Sequence, residues 1–178
     1  MAVFTSRGRV VLLDYKGNVM PPPLLFDLSK IDLAGKPVFT KDDILKVNPQ
    51  NYEMQQLDGV LWYDKPNMLV LGYKDVTDKE FWVRGHIPGR PLMPGVIMVE
   101  SAAQLLSFFV KQIMGLQGFI GFASIDSAKF RSTVEPGQRL LLLGKITKFR
   151  PGRKYDAYIQ GLVGDKMVFE TSVSGMGV

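Results

Sequence analysis

A long apolar segment at residues 96–114 constrains the fold of this chain more than any other feature of its sequence. The segment contains two charged side chains, Glu100 and Lys111, and is apolar on almost every face of a helix. A helix of this kind must be wrapped by other structure, and its polar side chains indicate a buried core helix rather than a membrane span. Pro94 suits the first helical turn because its missing N–H is not needed there, and Gly115 suits the C-cap.

The chain after this helix is predicted to form four strands, because runs of strand-forming residues alternate there with turn signals. The predicted strands are residues 118–130, 139–149, 154–163 and 166–174. The last three are spaced as hairpins, which favours an antiparallel sheet. One long buried helix and a curved antiparallel sheet together predict an α+β fold.

The stretch that precedes the helix carries two further local signals. Thr40 opens a capping box, which predicts a short helix over Lys41 to Lys46. Residues 59–63 and 68–73 flank a turn and predict a hairpin.

The first forty residues are harder to interpret. Residues 10–13 predict a short strand closed by a turn at 16–18, and three consecutive prolines follow before a stretch without a clean period. We therefore divide the chain into an N-terminal arm of unknown role, residues 1–40, and one domain, residues 41–178.

Composition excludes several kinds of chemistry. The chain has no Cys and a single His, which excludes disulfides, thiolate nucleophiles, Cys-ligated zinc and a multi-His metal site within one chain. The lack of Cys fits a reducing cytoplasm, and residues 1–14 do not predict a secretory signal, so we expect a cytoplasmic protein. The net charge of +5 permits an acidic partner without choosing one, and no nucleic-acid-binding motif accompanies it.

Residues 85–100 hold the candidate chemistry, in the order Gly-His-Ile-Pro-Gly-Arg-Pro-Leu-Met-Pro-Gly-Val-Ile-Met-Val-Glu. His86 lies in a loop rich in Pro and Gly, which is stiff and lets backbone approach a ligand closely. Gly95 lies at a helix start, where a free N–H can stabilise developing negative charge. Glu100 stands among apolar residues, which favours its protonated form, and Gln104 lies one turn further on, within reach of a hydrogen bond to it.

Each of these residues also has an ordinary structural explanation. The His could be a turn residue, the Glu a helix-dipole or ion-pair partner, and the Pro-Gly pair a simple helix start. Taken together they offer a base, an acid and an oxyanion donor, with no nucleophile or metal motif elsewhere. That combination favours removal of a proton next to a carbonyl group.

The segment from His86 to Glu100 resembles the signature of the 3-hydroxyacyl-[acyl-carrier-protein] dehydratases of fatty-acid synthesis, His-Phe-Pro-Gly-x-Pro-x-Met-Pro-Gly-Val-Leu-x-x-Glu, and Ala103-Gln104 follow it. A second similar stretch is Asp-Ser-Ala-Lys-Phe-Arg at residues 126–131, followed by residues 134–140. The resemblance runs from about residue 40 to residue 178. Two departures are Ile87 in place of Phe, and Pro-Gln-Asn at residues 49–51 where relatives often have Pro-His-Arg.

This resemblance implies a hot-dog fold, in which a curved antiparallel sheet wraps a long central helix. It implies a homodimer, often assembled further as a trimer of dimers, with His86 and Glu100 of one site on opposite subunits. His86 would remove the proton next to the thioester carbonyl, Gly95 would bind that carbonyl, and Glu100, supported by Gln104, would assist departure of the 3-hydroxyl. The acyl group arrives on the phosphopantetheine of acyl carrier protein, and no cofactor or metal is implied.

Four cations flank the site segments and are candidates for docking the acidic carrier protein: Arg84, Arg90, Lys129 and Arg131. Solubility and structural ion pairs are the alternative explanation for them. Two alternatives to the dehydratase also stay open. One is a hot-dog acyl thioesterase or enoyl-thioester hydratase, and the other is a non-catalytic protein that binds acyl carriers.

Overall fold

The computed structural model describes residues 2–4, 10–12 and 20–177. Its strands are β1 (Ala2–Phe4), β2 (Val10–Leu12), β3 (Phe39–Thr40), β4 (Gly59–Asp64), β5 (Leu69–Asp75), β6 (Ile120–Phe130), β7 (Arg139–Arg150), β8 (Lys154–Val163) and β9 (Lys166–Gly177). Its helices are α1 (Lys41–Leu45), a 3-10 turn (Tyr52–Met54), α2 (Gly95–Phe108) and a π-helical turn (Phe109–Ile113) that continues α2.

Seven of these strands form one antiparallel sheet in the order β3-β4-β5-β7-β8-β9-β6. The predicted hairpins are confirmed: β4 pairs with β5, β7 with β8, and β8 with β9. β6 follows the long helix in sequence but lies at the edge of the sheet beside β9. β1 and β2 form a separate two-stranded sheet, which confirms the short strand predicted at residue 10, whereas residue 13 and the turn at 16–18 lie outside the described residues.

The long helix packs against the inner face of this sheet, and the α+β prediction is confirmed. Phe108 and Phe109 are fully buried within the main core, together with Leu105 and Leu106. The helix ends with an αL residue, Gly115 (φ 79°), as the sequence predicts. Its last turn is π-helical, because the Met114 N–H donates to the Phe109 carbonyl oxygen five residues earlier.

The helix over residues 95–113 is long and apolar enough to cross a membrane by composition alone, but 61% of it is buried inside the fold. It is therefore the core helix, as predicted. The short α1 is also as predicted, with Thr40 and Asp43 forming both bonds of the capping box.

Part of the predicted arm lies on the outer face of the sheet. Residues 20–38 form an irregular segment there, which we call the strap. The outer face carries a second apolar cluster of Leu61, Leu71, Tyr73, Leu141, Leu143 and Leu162. Five strap side chains pack against that cluster: Leu25, Phe26, Leu28, Ile31 and Leu33.

Two polar side chains of the sheet fix the strap in place. The buried Gln160 accepts the N–H of Leu25 at 2.8 Å and donates to the Pro23 carbonyl oxygen at 2.9 Å. Arg139 donates to the Leu33 carbonyl oxygen at 3.1 Å. The strap thus covers the outer face of the sheet at β4, β5, β7 and β8.

Candidate active site

Gly95 is the first residue of α2, with Pro94 at the N-cap. The first bonds along the helix run from the N–H groups of Ile97 and Met98 to the Pro94 carbonyl oxygen. The Gly95 N–H precedes them and has no partner within the helix, as expected for a helix start. A Cβ at this position would lie 2.8 Å from the ring of Phe130, so only glycine fits against that ring.

Glu100 lies one and a half turns along α2 and is half-buried. Gln104 donates its Nε2–H to Glu100 Oε1 at 2.7 Å, which confirms the hydrogen bond that the spacing predicts. The same amide donates to the Met54 carbonyl oxygen at 2.6 Å and accepts the Gln56 N–H at 2.8 Å. Because backbone groups fix both ends of the amide, its donor side must face Glu100.

His86 lies in the turn-rich loop before α2. Its Nδ1 lies 2.8 Å from the Leu92 carbonyl oxygen, so Nδ1 carries the hydrogen and Nε2 keeps a free lone pair. Its backbone N–H donates to the Trp82 carbonyl oxygen at 2.7 Å. The next residue, Ile87, has φ 59°, a left-handed conformation that is costly for a β-branched side chain. Such local strain is typical of functional loops.

A cavity of about 280 Å³ lies between α2 and β6, lined by Val96, Val99, Glu100, Phe122, Ile125, Ala128 and Phe130. Apart from Glu100 its walls are apolar. His86 of the same chain is not among the lining residues that the structure describes. The structure thus brings Glu100 and Gln104 into contact at this cavity. Gly95 lies beside the cavity because the ring of Phe130 packs against it. The imidazole of His86 in the same chain does not line the cavity.

The four cations proposed for docking fall into two pairs. Arg84 and Arg90 are exposed in the His86 loop. Arg131 contacts Glu170 at 2.5 Å and Lys129 lies 3.7 Å from the same carboxylate. Since Phe130 and Ala128 line the cavity, Lys129 points to the opposite face of the sheet. An ion pair within the fold therefore accounts for Arg131, whereas Lys129 is 60% exposed and its docking role stays a prediction.

Glu170 is a buried carboxylate that sequence inspection did not single out. Tyr158 donates its hydroxyl to it in a short hydrogen bond. Burial and that bond raise the pKa of Tyr158 to about 12. Burial alone would raise the pKa of Glu170, but hydrogen bonds from Tyr158 and Arg131, with the charges of Arg131 and Lys129, hold it below its ordinary value.

Three partners of the candidate site were not predicted: the Leu92 carbonyl that orients His86, the backbone of residues 54–56 that orients Gln104, and the ring over Gly95. The first two are backbone groups, which carry no residue-type signal. Phe130 could have been noticed, because it alternates with Ala128 along a predicted strand and both should face the same side.

The fold is that of the hot-dog proteins, with a single long helix against a curved antiparallel sheet. A family model described as the FabA-like domain matches residues 48–172. That match covers more than half of the chain, and the chain belongs to the FabA-like family.

Curated relatives carry the name 3-hydroxyacyl-[acyl-carrier-protein] dehydratase FabZ. The protein from Fusobacterium nucleatum is 37% identical over 112 residues, which cover 61% of this chain and 76% of that protein. The protein from Clostridium tetani is 36% identical over 135 residues, which cover 75% of this chain and 94% of the relative.

Solved structures with a similar fold include the dehydratase heterocomplex ApeI:P from Xenorhabdus doucetiae, with a TM-score of 0.51 and 19% identity over 66% of this chain and 96% of that one. A sigma28-regulated virulence protein from Campylobacter jejuni gives a TM-score of 0.56 at 13% identity, over 78% of this chain and 88% of that one. At these identities the likeness shows the fold alone.

Proposed function

We propose that this chain dehydrates (3R)-3-hydroxyacyl thioesters carried on acyl carrier protein to trans-2-enoyl thioesters, in fatty-acid synthesis or a related pathway. The observation that carries the proposal is Glu100, an acid fixed by Gln104 at the wall of an apolar cavity, within the ordered segment that begins at His86. The named activity of the curated relatives supports the same reaction.

His86 acts as the base. The Leu92 carbonyl oxygen holds Nδ1–H, so the lone pair of Nε2 is available to take a proton from the carbon next to the thioester carbonyl. The negative charge that develops on the carbonyl oxygen is stabilised by the Gly95 N–H at the positive end of α2.

Glu100 acts as the acid. Gln104 donates to Oε1, which leaves Oε2 as the oxygen that can carry the proton this step requires. That proton is delivered, directly or through a water molecule, to the 3-hydroxyl group as it leaves. An acid and a base complete the elimination, and the reaction as written needs no metal or cofactor beyond the phosphopantetheine that carries the acyl group. We place it in the cytoplasm, in keeping with the absence of Cys.

The partner in catalysis is a second copy of the chain. β6 is 11 residues long and pairs only with β9 among the described strands. Its large apolar side chains are about half exposed, including Phe122, Ile125 and Phe130. A long apolar edge strand requires a cover, and pairing of two β6 strands would supply it and bring His86 of one subunit to Glu100 of the other. Further assembly of three dimers into a trimer of dimers stays a prediction.

The docking surface for acyl carrier protein is the β7–β8 hairpin together with Arg84 and Arg90. Residues 145–154 contain five cations and no acid, and four of the five remain after Lys154 pairs with Asp156 at 3.1 Å. Across two antiparallel β6 strands, the Ile120 end of one copy meets the Phe130 end of the other. Ile120 pairs with Gly177, whose N–H donates to the Arg153 carbonyl oxygen. The hairpin thus lies about three strands, or about 15 Å, from the partner's cavity.

Charge reversal tests this docking surface. Replacing Lys148 and Arg150 by Glu should raise KM for substrates on acyl carrier protein and leave KM for small-molecule thioesters unchanged. Lys65→Glu, an exposed lysine in the β4–β5 turn, is the control. An unchanged KM for the carrier-bound substrate would remove the hairpin from the proposal.

Turnover of a 3-hydroxyacyl carrier-protein substrate, followed by mass spectrometry, tests the proposed function. Loss of water marks a dehydratase, release of free thiol a thioesterase, and binding without change a non-catalytic protein. His86→Ala and Glu100→Gln should each lower turnover by about 10²-fold to 10⁴-fold without unfolding the chain. Wild-type turnover in either variant would contradict the assignment.

A further inference from the structure

Phe130 is an exposed aromatic side chain in an unusual place. Its ring lies against Gly95, where ring atoms come within 2.8 Å of the position that a Cβ would occupy. It also lines the cavity that Glu100 faces. Half of its surface is exposed (51%), so core packing alone does not explain why the ring stands over the start of α2.

The backbone on both sides of this ring is anchored from the opposite face of the sheet. Lys129 and Arg131 flank it and both pair with the buried Glu170. Tyr158 donates to the second oxygen of that carboxylate. The ring itself stacks on Phe169, with 6.4 Å between centroids. These contacts leave the end of β6 little freedom to move the ring away from Gly95.

We propose that Phe130 is a specificity-determining residue, whose ring forms the wall against which carbons 1 and 2 of the acyl thioester lie, and that Glu170 is the positioning residue that holds it there. This inference rests on the proposed function. A carbonyl oxygen bound to the Gly95 N–H lies about 2.9 Å from that nitrogen. Carbons 1 and 2 of the bound thioester then lie beside the Phe130 ring, which packs against Gly95. A substituent on carbon 2 would contact that ring.

The wall selects substrates without a branch at carbon 2. Phe130→Ala should shift the ratio of kcat/KM for 2-methyl-3-hydroxyacyl over unbranched 3-hydroxyacyl thioesters toward the branched substrate by about tenfold or more, the usual value of one methyl group in a pocket. Phe130→Tyr should keep the wild-type ratio.

Leu24→Ala is the control, because Leu24 is also an exposed apolar side chain (43%) but does not line the cavity. It lies in the strap, away from Gly95, so its truncation should leave the branched-to-unbranched ratio unchanged. Sedimentation of each variant checks that the assembly is retained. An unchanged ratio in Phe130→Ala, or an equal shift in Leu24→Ala, would overturn the proposal.

The positioning role of Glu170 is tested without reference to turnover. The NMR chemical shift of the Gly95 amide, which an aromatic ring at this distance perturbs, should move in Phe130→Ala and in Glu170→Gln and stay in Leu24→Ala. Tyr158→Phe, a milder change to the same network, should move it less. A shift unaffected by Glu170→Gln and Tyr158→Phe would remove the positioning role. Absence of turnover in the wild-type protein would instead count against the proposed function.

Discussion

Among single residues, Gln104 has the most completely specified surroundings in the candidate site. Its amide contacts Glu100, the Met54 carbonyl and the Gln56 N–H. The contact to Glu100 could be predicted because the two residues are one helical turn apart. The contacts to residues 54 and 56 could not be predicted. They join segments that are 50 and 48 positions apart in sequence, and they use backbone atoms, which are the same in every residue.

Gln104→Leu should therefore weaken both the fold and the reaction. Leucine fills a similar volume but leaves buried backbone groups without partners, which costs about 1–3 kcal/mol. It also frees Glu100 to rotate, so turnover should fall. Urea denaturation and steady-state kinetics measure the two effects, with the exposed Gln112→Leu on the same helix as the control. Equal stability of both variants would contradict this account.

At the scale of elements, the sequence predicted the regular parts and missed the irregular ones. Helix and hairpins follow from local periodicity and turn signals, and each was found near its predicted bounds. The strap was not predicted to pack, because Leu25, Phe26, Leu28, Ile31 and Leu33 follow neither helical nor strand spacing. The π-helical end of α2 was missed as well, since it differs from an α-helix only in the backbone bonds it makes.

Gln160→Leu should loosen the strap before the rest of the domain unfolds. It removes the acceptor for the Leu25 N–H and the donor to the Pro23 carbonyl, at a cost of about 1–3 kcal/mol. Trp62 reports on the strap, because its ring lies 5.1 Å from that of Phe26. In a Trp82→Phe background, fluorescence should show an early transition in Gln160→Leu. A single transition that coincides with loss of circular dichroism would argue against it.

The paired strands β8 and β9 should show a pH dependence of stability from Tyr158 and Glu170. The pKa of Tyr158 is raised from 10.0 to about 12, so its contribution is present below pH 10 and lost as pH rises toward 12. The lowered pKa of Glu170 has the opposite sign: its contribution is present above the ordinary value of 4.5 and lost as pH falls through the folded-state pKa.

Denaturation from pH 3 to pH 12, covering both ordinary pKa values, measures these contributions. Tyr158→Phe should lessen the alkaline loss, and the buried Tyr155 and Tyr73, whose pKa values are also raised by burial, should contribute to the remainder. Identical alkaline profiles for Tyr158→Phe and the wild-type protein would show that Tyr158 is not responsible.

On the scale of the whole molecule, the proposed division of the site between two subunits gives a specific expectation. An equal mixture of His86→Ala and Glu100→Gln subunits, refolded together, forms mixed dimers as half of its population. Each mixed dimer has one intact site of two, so the mixture should regain about a quarter of wild-type turnover. The separate variants are the controls. No recovery, with mixed dimers demonstrated by mass spectrometry, would place both residues of a site in one chain.

The order of strands was the part of the whole fold that sequence could not supply. β6 directly follows the helix, yet it pairs with β9 at the other end of the chain. Hairpin spacing fixes only neighbours that are joined by short turns, whereas this pairing depends on side chains brought together by the finished sheet. The cavity depends on the same pairing, so it too was beyond prediction from residue spacing. Alternation along β6 shows that Ala128 and Phe130 share a face, but not that Gly95 lies against that face.

The two edge strands of the sheet differ in length, and this limits how copies of the chain can pair edge to edge. One border is β3, a strand of two residues, too short to template a neighbour. The other is β6, long and apolar. In the proposed dimer, a chain that pairs through this one edge strand and meets its second copy through the same strand would form a finite closed pair instead of an open fibre.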